Sequence, residues 1–419
     1  MIDLVPMNMR KTVSLVAINA ALLLSTHAAW AQFAQQGPKL EGAGAVGAAF
    51  QGYSVSISAD GNTAIIGGPY DNNQGGAAWV WTRSGGVWTQ QGNKLVGSGA
   101  VENANQGESV SLSGDGNTAI IGAPGGGGDG AAFVWTRIGV TWTQQGSKLV
   151  GSGAVNACQG TSVSIASDGN TVIVGGYCDQ NSGGQGAAWV WTRSGDVWTQ
   201  QGNKLVGSGA VGNSTRQGFS VRLSGDGNTA IVGGDCDNFT NDRCTGAAWV
   251  WTRSGGVWNQ QGNKLVGHDP NTFHQGNSVS LSADGNTAII GAPSGVPSPA
   301  AYVWTRSGAI WTEERELVNP VETGIGFGFS VSLSADGNTA LVSGVNGEGG
   351  AWVWTRTGGV WTQGPNLVGA SAAGSAYGWS ISLSADGNTA IVGGWQDNNR
   401  AGGAWVFASE PVRRRAARH

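Results

Sequence analysis

Four aspartates, two histidines and four cysteines are the side chains here whose types and spacing could do chemistry. Asp71, Asp179, Asp237 and Asp397 fall at one offset in four similar loops and are mostly followed by asparagine. Such carboxylates either order their own loops as Asx turns or form a polar, cation-assisted ligand site. His268, Asp269 and His274 share one short stretch. Two imidazoles and a carboxylate are a partial metal set, but no third dependable ligand is visible and nothing has H-E-x-x-H spacing. Ordinary surface histidines are the simpler reading of His268 and His274. The chain has 4 histidines, one of them the C-terminal His419, so a Ser-His-Asp or Cys-His nucleophile is hard to assemble. No cofactor and no metal are expected.

The cysteines are even in number, as disulfides require. Cys236 and Cys244 lie in one loop; Cys158 precedes the first strand of its repeat and Cys178 follows the second. Those last two positions are neighbours in an antiparallel hairpin, so Cys158–Cys178 and Cys236–Cys244 are the expected pairs. Each closes a short loop worth about 2–3 kcal/mol. Disulfides persist in oxidising compartments, and the N-terminus offers a route there. Arg10 and Lys11 precede an apolar run over 13–24, and Ala29-Trp30-Ala31 precedes Gln32. Residues 1–31 read as a secretory signal peptide. No second stretch is apolar enough to span a bilayer. The expected location is secreted or cell-surface, with the periplasm as the alternative. At formal net charge −4, with 11% charged residues, the chain does not suit nucleic acid. The basic run within 409–419 reads as a solvated tail.

These residues ride on a repeat. Asp-Gly-Asn occurs at Asp60, Asp115, Asp168, Asp226, Asp284, Asp336 and Asp386, at spacings of 50 to 58 residues. Each copy sits in a unit close to QGxSVSLSADGNTAIIGG, a variable stretch, then GAAWVWTRSGGVWTQQGNKLVGSGAV. A period near 50 with several short strands per unit marks a propeller. One unit cannot bury its own apolar faces, so the array behaves as one object over residues 32–408.

In the first unit, residues 54–58 alternate valine or isoleucine with serine, and 59–62 is a turn. Further strands follow at 63–67, 77–82 and from 87 to about 95. Side-chain size rises outward, from serine to the Trp79/Trp81 pair and Trp88. Blades splay toward the rim, so the indoles belong in the widening wedges. The last unit lacks its fourth strand, while residues 33–40 read like 88–95. The expected fold is an all-β, seven-bladed propeller of four-stranded blades, closed by its N-terminal strand. Arg83, Arg137, Arg193, Arg253, Arg306 and Arg356 follow the third strands, at the same end as the Asp-Gly-Asn turns. Structural Asp–Arg contacts are expected there, each worth under about 1 kcal/mol.

At this point the chain resembles the FG-GAP repeat family, the integrin-α-like propellers, and in particular an exported bacterial branch. Phe327-Gly328-Phe329-Ser330-Val331 and Tyr377-Gly378-Trp379-Ser380-Ile381 carry the first motif. Gly122-Ala123-Pro124 and Gly291-Ala292-Pro293 carry the second. In five units glutamine replaces the aromatic, as at Gln51. The family's calcium loop is not carried over, because S-x-D-G-N-T supplies one carboxylate where calcium takes about six to eight oxygens.

The connections into the first strand and between the second and third are the parts that differ strongly between units. A uniform scaffold with divergent loops on one face is how propellers present a binding surface. The expectation is a monomeric, non-enzymatic binding or adhesion module that offers this face to a protein or extracellular-matrix ligand. A lectin with repeated sugar sites between blades is the alternative, motivated by the repeated Trp, Asn and Asp; a hydrolase or lyase ranks third.

Overall fold

The computed structural model describes residues 32–126, 128–240, 242–295, 299–319, 326–345, 349–372 and 376–410. The expected signal peptide, and the basic tail beyond residue 410, lie outside the described residues.

Seven four-stranded antiparallel sheets form the seven blades of a propeller. Blade 1 shows the pattern: Ser54–Ile57 innermost, then Thr63–Gly68, Ala77–Ser84 and Val87–Gln90 at the rim. Blade 7 takes Tyr377–Leu383, Thr389–Gly394 and Ala404–Glu410 from the C-terminus and Gln32–Gln35 from the N-terminus. The closing ladder pairs Gln32 with Glu410 and Gln35 with Phe407. The last strand therefore runs two residues past the expected boundary at 408.

The outer strand is shorter than the sequence suggests. It stops at glutamine in five blades because Gly-Asn or a similar pair interrupts it, and pairing resumes at single bridges such as Leu95 with Ala78 and Leu40 with Ala404. Blade 5, whose Glu313-Glu314-Arg315 run holds no glycine, keeps a strand from Ile310 to Val318.

The core lies between blades. Trp189 and Val174 of blade 3 pack with Ile120 and Val134 of blade 2, and the contact repeats around the ring. Trp79, Trp189, Trp249 and Trp405 are wholly buried. Near the axis the alternating serines reach the next blade around the ring: the Leu112 amide donates to Ser56 Oγ at 3.1 Å, and the Leu383 amide to Ser332 Oγ at 3.1 Å. Small size is thus half of the reason for serine, and cross-blade bonding is the other half.

At the turn end a closed circuit of backbone bonds surrounds the axis. Ala59 donates to Gly114, Gly114 to Ser167, Ser167 to Gly225, Gly225 to Ala283, Ala283 to Ala335, Ala335 to Ala385 and Ala385 back to Ala59, at 2.8–3.0 Å. Each member is Ala, Gly or Ser, small enough for neighbouring strand ends to meet.

Outside that circuit six of the seven turns repeat one network, blade 3 having Ala166 in place of the serine. Ser58 Oγ donates to Asp60 Oδ1 and accepts from the Thr63 amide, while the Asn62 amide donates to Asp60. Burial alone would raise the Asp60 carboxyl, but these bonds and the Arg83 charge outweigh it and hold it below the usual carboxylate range. The expected Asp–Arg contact is corrected in detail. Arg83 Nε donates to Asn62 Oδ1 at 2.9 Å rather than to Asp60, and the guanidinium lies 5.4 Å over the Trp88 ring. The register of the second and third strands brings the asparagine level with the arginine, so the aspartate acts on it through space.

Candidate functional site

The inner strand of every blade is entered through glutamine (or Phe327, Tyr377), glycine, one variable residue and serine. The glutamine ties this entry to the end of the loop before it. The Gly42 amide donates to Gln51 Oε1, and Gln51 Nε2 donates to the Gly42 carbonyl. Phe327 and Tyr377 instead pack on Trp352 and Trp405 at 5.7 and 5.2 Å. The residue just before this motif has positive φ in all seven blades, from 54° at Asn105 and Cys158 to 70° at Ala376. That bend belongs to the architecture, so a bulky Phe50 or Arg216 there is a choice of side chain and not a sign of local strain.

The glycine is obligatory. At Gly107, φ is +89° and a Cβ would stand 2.3 Å from the Ala77 carbonyl oxygen. Held this way, the following residue turns into the mouth of the central channel, at the end away from the turns. Tyr53, Glu108, Thr161, Phe219, Asn277, Phe329 and Trp379, one from each blade, line a cavity of about 500 Å³.

Three of the four aromatic members, Tyr53, Phe329 and Trp379, gather on one side. Trp379 lies 4.6 Å from Phe329 and 5.3 Å from Tyr53. Trp395, just after the second strand of blade 7, meets Trp379 edge-on at 5.7 Å and stacks on Phe50 at 4.7 Å, which stacks on Tyr70 at 4.2 Å. Six half-exposed rings thus make a continuous patch over blades 6, 7 and 1. The Trp395 indole N–H has no acceptor among the described residues. Across the mouth, Tyr177 and Phe219 form a second pair at 5.5 Å.

Glu108 is the one carboxylate among the seven mouth positions. Burial raises its carboxyl to about 7, a rise that the Tyr53 hydroxyl, donating at 3.4 Å, partly opposes. It is therefore poised between neutral and charged near neutral pH. Deeper in, Ile57, Leu112, Ile165 and the leucines of the other blades narrow the channel to a space of about 80 Å³ that also holds Arg222. Arg222 replaces the cross-blade serine of blade 4, makes no ion pair among the described residues, and has its guanidinium pushed down by burial.

The residues singled out from the sequence go elsewhere. Asp71, Asp179, Asp237 and Asp397 are buried and do not converge; each pairs within its own blade, with Lys94, Lys204, Lys264 and Lys39. The second oxygen accepts a backbone amide, from Val46 at 2.7 Å for Asp71, Val155 at 3.0 Å for Asp179 and Val211 at 2.7 Å for Asp237. They order loops by clamping two segments rather than as Asx turns. His268 is exposed and bonds Glu313 at 2.6 Å, and that bond raises its pKa. His274 faces Asp235 at 3.6 Å instead, so the two imidazoles serve different partners. Among the described residues no group of three His, Cys, Asp or Glu is placed to hold a metal. Both expected disulfides form, with Cα separations of 5.5 Å for Cys158–Cys178 and 4.4 Å for Cys236–Cys244. They fasten the loops of blades 3 and 4 beside the mouth and place the chain among proteins of oxidising environments. No helix of the described residues is long and apolar enough to cross a membrane.

The mouth itself was missed by sequence reasoning, although one signal was present. The position after Gln-Gly is the one place in an otherwise uniform strand entry where chemistry changes from blade to blade.

No protein-family model and no curated protein sequence matches the chain. Among solved structures it is similar to hydrazine synthase of Kuenenia stuttgartiensis, with a TM-score of 0.57 and 10% identity, over 89% of this chain and 99% of that one. A likeness at that identity carries the architecture alone.

Proposed function

We propose that this propeller is an exported, non-enzymatic binding module that engages a protein or matrix ligand on its loop face, centred on the aromatic mouth of the channel. The observation that carries this reading is the clustering of Tyr53, Phe329, Trp379, Trp395, Phe50 and Tyr70 as half-exposed rings in mutual contact. Aromatic side chains around a water-excluding depression dominate binding energy at protein interfaces. The reading agrees with the FG-GAP resemblance, which stays part of the proposal. The two disulfides support export through an oxidising compartment.

A lectin is the second reading, favoured by the same stacked rings. Its original motive, repeated indoles between blades, has less support: Trp79 and its equivalents are buried, and the rim indoles lie under arginines at 5.3–5.4 Å. A pull-down from the native exoproteome, comparing wild type with a Tyr53→Ala/Trp379→Ala/Trp395→Ala variant, tests the proposal. A protein retained by the wild type and lost by the variant is the expected result. Equal retention by both removes the mouth as the site, and capture of glycans alone selects the lectin.

A further inference from the structure

Blade 2 keeps half of a clamp that four of its sister blades hold complete. In blades 1, 3, 4 and 7 an aspartate lies three residues past the end of the second strand and pairs with a lysine just past the outer strand. Blades 5 and 6 have lost both members, with Glu316 and Asn366 in the lysine's place and glycine in the aspartate's. Blade 2 alone retains the cation, Lys148, while Gly126 occupies the aspartate's position. Lys148 makes no ion pair or hydrogen bond with the described residues. The amide of Val101, equivalent to the Val46 amide that binds Asp71 in blade 1, donates to none of them either.

The same blade departs at a second position. The four clamped blades carry a buried third-strand tryptophan whose indole N–H donates to a carbonyl, as Trp79 does to Ala43 at 2.9 Å. Blade 2 has Phe133 there. The lost indole edge and the lost carboxylate coincide with a cavity of about 240 Å³ on the loop face, walled by Ala104, Ala123, Ala131, Phe133 and Val150, with Lys148 at its side and the Asp129 carboxylate also on its lining but not paired with it. An apolar cavity of about 150 Å³ already holds benzene.

We propose that this pocket binds a small carboxylic acid with an apolar body, an aryl or alkyl monocarboxylate. The carboxylate takes the place of the absent aspartate, accepting from Lys148 Nζ and the Val101 amide, and the apolar body lies against Phe133 and the alanines. Charge-assisted bonds to two donors give orientation, and burial of the body gives most of the affinity. The proposal is independent of what the central mouth binds.

Calorimetric titration with phenylacetate and its neutral isostere phenylacetamide tests it on the intact protein. Phenylacetate should bind at least about tenfold more tightly than the amide, the worth of one charged hydrogen bond. Lys148→Met should abolish that preference. Phe133→Trp, which copies the sister blades and fills the cavity, should weaken both ligands while raising the melting temperature. No binding by the wild type, equal affinity for acid and amide, or a preference that survives Lys148→Met overturns the proposal.

Discussion

The two faces of this ring are built on opposite principles. On the turn face the same residues do the same thing in nearly every blade: serine, aspartate, asparagine and arginine form one network, and a backbone circuit joins all seven. On the loop face each blade solves its own problem, with a disulfide in blades 3 and 4, a Lys–Asp clamp in four blades, and an aromatic patch over three. Repetition sets the number and angle of the blades, and that rigidity frees the opposite face to diverge. What recurs therefore reports on architecture, and what varies at a fixed position marks the surface proposed to bind.

The sharpest test of that division compares two tryptophans. Trp189→Ala, in a wholly buried wedge, should cost about 3–5 kcal/mol in urea unfolding. Trp379→Ala, half-exposed at the mouth, should cost less than half as much yet abolish ligand retention. Equal costs would mean that the mouth is core. Next in size is opening the Cys158–Cys178 bridge with the pair Cys158→Ser and Cys178→Ser, expected to cost about 3 kcal/mol. Turn-face amides should keep their hydrogen-exchange protection in that variant, whereas uniform loss would show that the faces are coupled.

Glu108 supplies a pH test. Its carboxyl is raised from 4.5 to about 7 in the folded protein. The folded state therefore holds this proton more tightly than the unfolded chain, so the contribution of Glu108 to stability is full below 4.5 and is lost as pH rises through about 7. The drop should be on the order of 3 kcal/mol. Glu108→Gln should flatten it, and thermal melts at pH 4.5 and pH 8 measure the difference. The turn aspartates act in the opposite sense: those held below the usual range, such as Asp60 and Asp115, stabilise above their unfolded pKa and lose that contribution in acid. The smallest effect concerns blade 3, where Ala166 replaces the turn serine and Asp168 receives bonds from Asn170 alone. Ala166→Ser should restore the network and add up to about 1 kcal/mol, read as a rise in the urea midpoint.

The architecture was legible because its signals are local and sevenfold: the Asp-Gly-Asn turns, the alternating serines, and the match of residues 33–40 to 88–95. Both cysteine pairs were legible, Cys158–Cys178 because hairpin geometry makes those positions neighbours and Cys236–Cys244 because the two share one loop. The role of the loop aspartates was not, since Asp71 meets Lys94 only through the fold of the whole blade. The mouth was hidden for a deeper reason. Tyr53 and Trp379 lie at opposite ends of the chain and become neighbours only when the ring closes. No window along the sequence contains them both.

The backbone circuit at the turn end has no first or last member. The bond from Ala385 to Ala59 joins the two extremities of the fold, yet its length matches those within the series. An open stack of repeats can shed its terminal units one at a time, but here every unit is flanked on both sides. A protease or a mechanical pull therefore finds no end to peel, and resistance to both should vanish in a single step once the N-terminal strand is displaced.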